Sequence, residues 1–123
     1  MIIIGDKLVP FEDIQYIQNA ENIKDTKANS TIIFNYDEKV LKYCYENELS
    51  LAVIVTSIKE AIYCNSLNVK YIISEKELDK EIQKIADNYM YDSKNLAIID
   101  SNEEFEEIVE NEIDGVIYRA LIK

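Results

Sequence analysis

The sequence predicts an α/β fold: a mostly parallel, five-stranded sheet with helices alternating between the strands. Three observations predict it. First, Leu51–Val55 is a continuous apolar run, rich in β-branched residues and short enough for a strand. No polar residue alternates within it, so both of its faces should be covered, as in a parallel sheet. Second, Ser57 and Glu60 form a Ser-x-x-Glu capping pair, and Ile58, Ala61 and Ile62 follow at helical spacing. Third, this strand–cap–helix unit recurs roughly every twenty residues, which is short for an α/β unit but feasible.

The elements follow in order. Ile2–Ile4 and Lys7–Val9 flank Gly5-Asp6, a pattern that predicts a β-hairpin. Phe11–Gln18 fits either a strand or a helical turn. Asn19–Lys27 reads as a short helix or a loop. Residues 1–30 are therefore expected to form an irregular N-terminal extension, and residues 31–118 the five repeating units, all within one domain of 123 residues. Thr31–Phe34 is the first regular strand, and Asn35 with Glu38 is expected to cap the next helix. Leu51–Val55 is the second. Tyr71–Ile73 is the third, with Ser74 and Glu77 as a capping pair before a helix striped by Leu78, Ile82, Ile85, Ala86 and Tyr89. Leu96–Ile99 is the fourth, capped through Ser101 and Glu104. Asp114-Gly115 turns the chain into the fifth, Val116–Tyr118, and the tail RALIK is too short to assign.

Two strand orders compete. A flavodoxin-like three-layer sheet is favoured. It would leave the apolar Leu51–Val55 strand at an edge unless residues 1–17 pair alongside. A sequential order, resembling half of a (βα)₈ barrel, would make that strand central.

Composition excludes several functions. The chain has 13 basic and 24 acidic residues, a net charge of −11. A phosphate backbone or an anionic membrane surface would be repelled, so neither nucleic acid nor membrane is expected as a partner. With no histidine, imidazole-based triads, metal sites and proton shuttles are ruled out. No apolar run approaches the ~20 residues of a membrane span, and MIIIGDKLVP lacks the basic start of a secretory signal. A cytoplasmic location is expected. Cys44 and Cys64 are read as small buried thiols.

Ligands of open α/β sheets bind at the carboxyl ends of the strands. Asn35, Ser57, Ser74 and Ser101 lie there, but each is expected to be occupied as a helix cap. Asp37, Thr56 and Asp100 remain as candidate ligand-binding residues, and the two carboxylates could hold a hard cation such as Mg²⁺. No glycine-rich phosphate loop is present and no cofactor is expected. The string AVIVTSIKEAI resembles a strand and helix of class I aldolase barrels. That family requires a Schiff-base lysine at a strand end, and no predicted strand ends in lysine, so nothing is carried over.

Two surface features point to protein partners. Asp100–Asp114 holds eight acidic residues and no basic one, a candidate docking face for a basic protein. Tyr43, Tyr63 and Tyr91 lie off the apolar stripes or at helix ends and suit self-association. The expected function is a non-catalytic protein-interaction or self-associating module. The alternative is a small-ligand or Mg²⁺-binding domain at the strand carboxyl ends.

Overall fold

Parallel strands covered on both faces must be apolar along their buried spans, and Ile32–Phe34, Leu51–Val53, Tyr71–Ile73, Leu96–Ile99 and Val116–Ile117 meet this condition. The structure is a computed structural model and describes residues 1–26 and 28–122. Its strands are β1 (Ile2–Ile4), β2 (Ile14–Tyr16), β3 (Thr31–Asn35), β4 (Leu51–Ile54), β5 (Tyr71–Ser74), β6 (Lys94–Ile99) and β7 (Gly115–Tyr118). The α-helices are α1 (Glu38–Glu46), α2 (Ile58–Ser66), α3 (Leu78–Asn88) and α4 (Phe105–Glu110). Short 3-10 turns occupy Ala20–Asp25, Asn102–Glu104 and Arg119–Leu121.

All seven strands are parallel in one sheet, ordered β1-β7-β6-β5-β4-β3-β2. From β2 to β7 the order follows the chain, so the sheet forms a half-barrel. The α/β parallel class is as expected; the count of five strands and the preference for a flavodoxin-like order are corrected. The physical reason is the crossover. When every unit sets its next strand beside the last with the same hand, all helices fall on one face. A flavodoxin-like order instead needs helices on both.

The core shows this segregation. On the outer face, Ile32, Phe34, Val53 and Ile72 of the strands pack with Leu41 and Cys44 of α1, Cys64 of α2 and Ile82 of α3. Ala97, Ile99 and Val116 meet Ile108 of α4 in a second outer cluster. On the inner face Ile4, Ile33, Ala52, Ile73, Leu96, Ile98 and Ile117 pack on one another, and among the described residues no α-helix contributes to them. Neighbours along a strand point to opposite faces, so Ile32 and Phe34 face out while Ile33 faces in. β4 is central, flanked by β3 and β5.

The N-terminal expectation is also corrected. There is no hairpin: β1 pairs parallel with β7, Ile2 opposite Gly115 and Ile4 opposite Ile117. Lys7–Val9 is not a strand, because Asp6 Oδ1 accepts hydrogen bonds from the backbone N–H groups of Leu8 (2.7 Å) and Val9 (3.4 Å). A carboxylate that captures nearby amides in this way competes with strand pairing. Gly5, at φ +96°, makes the exit from β1, and a Cβ there would lie 2.8 Å from Leu121 Cδ1. The ambiguous Phe11–Gln18 stretch supplies β2, paired parallel with β3 from Ile14 opposite Thr31. Because β1 and β2 run the same way, residues 5–13 must travel the full height of the sheet between them. Asn19 caps the turn at Ala20–Asp25 by accepting from Glu21 N and Asn22 N. Lys27, ending the Asn19–Lys27 stretch, and Lys123, ending the RALIK tail, lie outside the described residues.

Candidate functional site

The carboxyl ends of the strands carry the three candidate ligand-binding residues, and each has a local partner. Asp37 caps α1: its Oδ1 accepts from Lys39 N (2.9 Å) and Val40 N (3.1 Å). Thr56 donates to Glu60 Oε1 through its backbone N–H (2.8 Å) and its hydroxyl (3.3 Å). Asp100 Oδ1 accepts from Arg119 Nε (2.9 Å). No hydrogen bond or ion pair links the three among the described residues. Asp37 follows β3 and Asp100 follows β6, three strand spacings apart, or roughly 14 Å along the sheet. Metal–oxygen bonds are about 2–2.6 Å long, so one cation would not reach both carboxylates across that separation. Among the described residues, no group of three or more Asp, Glu, Cys or His is placed to hold a metal ion.

The expected caps divide evenly. Ser57 Oγ accepts from Glu60 N (3.2 Å), and Ser101 with Glu104 forms a complete capping box. Asn35 does not cap. It stays in β3 opposite Ile54, and its amide donates to Tyr16 Oη (2.7 Å). Ser74 stays in β5 opposite Ala97, fully buried, and among the described residues its hydroxyl has no partner. α3 instead starts after Glu77, which has φ 78° and makes no side-chain cap.

One ion network spans the rim. Arg119, just past β7, meets Glu75, just past β5, through Nη1 (2.7 Å) and Nη2 (2.9 Å) while its Nε holds Asp100. The Arg119 hydrogen bonds hold the Glu75 carboxyl below the usual carboxylate range, against an opposing contribution from burial. Nearby, Tyr118 Oη donates to Asp6 Oδ2 (2.7 Å), which pushes the phenol up to about 12 and, with the Leu8 amide, draws Asp6 down. Tyr36 is also pushed up to about 12, by burial and the neighbouring Glu38. Burial raises the Cys44 thiol to about 11; burial, with Glu60 nearby, raises Cys64 to about 12. Both cysteines are free and lie beneath the helices, away from the rim. These phenols and thiols hold their protons firmly, so none is an activated nucleophile.

Two polar clusters were not anticipated. At the amino end of the half-barrel, the Glu12 carboxylate accepts from Thr31 Oγ1, Lys70 Nζ (2.8 Å) and Tyr71 Oη. Beneath α3, Asn95 Nδ2 donates to Asp79 O (2.9 Å) and Gln83 Oε1 (3.2 Å), while Gln83 and the Asn95 backbone amide both bond Asp114. Asn95, a polar residue opening an apolar strand, was the one visible signal of this second cluster.

The helical face carries the exposed apolar groups. Tyr43 and Tyr63 are about half exposed, whereas Tyr91 packs partly against the outer core. A groove of about 460 Å³ between α2 and α3 is lined by Ile62, Asn65, Ser66, Ile85, Tyr89 and Tyr91. Comparison with protein-family models and with curated proteins finds no match to this chain. Among the described residues, no helix is long and apolar enough to cross a membrane.

Proposed function

We propose that this chain is a non-catalytic protein-interaction module that binds through its helical face. The observation that carries this reading is the exposure of Ile62 (48%), Tyr89 (77%) and Met90 (85%) at and beside the α2–α3 groove. Exposed apolar side chains clustered at a concavity, with aromatic residues among them, are characteristic of protein contact sites. The rim supports it indirectly, since Asp37, Thr56 and Asp100 are already engaged by α1, Glu60 and Arg119.

A basic partner on the Asp100–Asp114 face has less support, because part of that charge is compensated within the chain. Lys76 pairs with Glu107 (3.0 Å) and Arg119 with Asp100. A small ligand or Mg²⁺ at the rim also has less support, given the distance between Asp37 and Asp100.

The immobilised chain should retain a defined protein, either its own chain or another, and Tyr89→Glu should abolish retention. Failure to retain any protein removes this reading. A rise in melting temperature with Mg²⁺ that disappears in Asp37→Ala and Asp100→Ala would establish the ligand-binding alternative in its place.

A further inference from the structure

We infer that Thr31, Lys70 and Tyr71 form a carboxylate-binding site at the amino end of the half-barrel, which Glu12 fills from within its own chain and for which a small external carboxylate competes. The site lies apart from the α2–α3 groove and does not depend on the protein-interaction reading.

The three donors belong to the rigid part of the fold. Thr31 opens β3, and Tyr71 opens β5 with Lys70 just before it. Both hydroxyl-bearing residues are buried, and each donor is held by something other than Glu12. The Thr31 hydroxyl lies 3.1 Å from Ser50 Oγ. The Tyr71 ring packs in the inner core, and Lys70 Nζ stands 5.2 Å from the centre of that ring. Two hydroxyls and an ammonium that converge on one point suit the acceptor-only oxygens of a carboxylate, and bonds to such a charged acceptor are the stronger kind.

The acceptor is held differently. Glu12 rides on the segment between β1 and β2. Asp6 anchors the start of that segment through Tyr118 Oη (2.7 Å), and Asp13 O anchors its end by accepting from Thr31 N (2.8 Å). Between these anchors the Leu8 and Val9 amides only turn back to Asp6. Among the described residues, 7–12 therefore reach the rest of the chain by hydrogen bond or ion pair through the Glu12 side chain alone. Leu8 and Phe11 are exposed, so packing adds little. A segment with so few contacts opens at low cost while the sheet stays paired. The binding groups are thus fixed and the group bound to them is loosely tethered.

The chemistry of the site selects the competitor. Thr31 and Tyr71 are buried, so only the carboxylate end of a ligand reaches them. The net charge of −11 repels an acidic protein surface, whereas a small monoanion needs only the one ammonium of Lys70.

Acetate is the probe, because Glu12→Ala deletes a methylene and a carboxylate, which are the atoms of acetate. Acetamide, of similar shape but uncharged, and sodium chloride at equal ionic strength are the controls. Acetate should raise the melting temperature of Glu12→Ala more than that of the wild type, and adding Lys70→Met to Glu12→Ala should remove the difference. Glu12→Gln, which keeps the shape of the side chain, supplies the same comparison where the alanine variant does not fold. In the wild type, acetate should shift the NMR amide signals of Leu8, Val9, Phe11 and Tyr71 saturably and leave those of β6 and β7 in place. Glu12 competes at an effective concentration on the order of millimolar, so the wild-type midpoint should lie several-fold above that of the variant. An equal response of wild type and variants, one that acetamide or chloride reproduces, or one that survives Lys70→Met overturns the inference. So do wild-type signals at Leu8–Phe11 and Tyr71 that acetate leaves unmoved.

Discussion

Arg119 grips Glu75 with two hydrogen bonds, of 2.7 and 2.9 Å, that reach over β6 from the end of β7 to the end of β5. The two residues are 44 positions apart in sequence. Asp100, from β6 between them, takes the third guanidinium donor. The planar fork thus ties three adjacent strands together at the carboxyl rim.

This clamp is exposed, so its contribution to stability is small. Arg119→Met should cost no more than about 1 kcal/mol in urea denaturation, as expected for a surface network in high dielectric. The Glu75 carboxyl is depressed in the folded state, so its share is present above its ordinary value of 4.5 and lost as pH falls through the folded one. In Arg119→Met that acid-dependent share should disappear. A loss several times larger would mean that the rim network is shielded from water.

Glu12 should matter more. Burial alone would raise its carboxyl, yet hydrogen bonds from Lys70, Thr31 and Tyr71 outweigh burial and lower it. Tyr71 is only 6% exposed, so removing its acceptor strands a buried hydroxyl. Glu12→Ala should therefore cost about 2 kcal/mol. The contribution is present above pH 4.5 and fades on acidification through the lowered folded value. Melting curves of the wild type and Glu12→Gln across acidic pH should converge as the wild-type carboxylate is protonated.

Asp79 has the opposite sign. It is 3% exposed, its Oδ1 has no partner among the described residues, and burial raises its carboxyl above 3.8. Lys80 draws it down, while Glu77 and Glu107 add to the rise. An acid raised in the folded state destabilises the fold as pH climbs from the unfolded value through the folded one. The stability of Asp79→Asn relative to wild type should therefore increase from strongly acidic pH toward neutrality, by about 1 kcal/mol. A difference that is flat with pH would show that Asp79 is solvated as well as a surface carboxylate.

How much of this was legible depends on the range of each interaction. β3 to β7 could be read because burial on both faces makes a local apolar run. Ile2–Ile4 reads as a strand, but its partner is β7, far along the chain, and Lys7–Val9 imitates a hairpin partner whose amides Asp6 captures; β2, three residues long, leaves Phe11–Gln18 open between strand and helical turn. The Asn35 cap failed because a second candidate stood close by, whereas the Ser74 cap failed because α3 starts later, after Glu77. Glu38 lies three after Asn35, yet Asp37, immediately before the helix, does the capping. Strand order depends on where crossovers pack, which no local pattern encodes. The Glu12–Lys70 pair, 58 residues apart, and the Arg119–Glu75 pair leave no periodic trace either. The α2–α3 groove was only partly visible: of the tyrosines singled out, Tyr91 alone lines it, and Tyr89, read as part of the α3 apolar stripe, is 77% exposed beside α2.

Gly115 lets β1 and β7 approach closely. A Cβ there would sit 2.4 Å from the backbone oxygen of Ile2, 2.7 Å from Ile2 Cβ and 2.9 Å from Leu96 Cδ2. A side chain can rotate away, but a backbone oxygen moves only if its strand moves. β1 is an edge strand held by one neighbour through three residue pairs, so it is the element that would yield. Gly115→Ala should cost about 1–3 kcal/mol, the range for overpacking a filled interior. The loss should be local as well as global. The Ile2 amide, which donates to Asp114 O at 3.0 Å, should lose hydrogen-exchange protection disproportionately, while amides of β4 and β5 fall only by the global change. Uniform loss across the sheet would mean that β1 and β7 separate only when the whole fold opens. An unchanged midpoint in urea would mean that β1 can shift outward without cost, and that its pairing with β7 contributes little to closing the half-barrel.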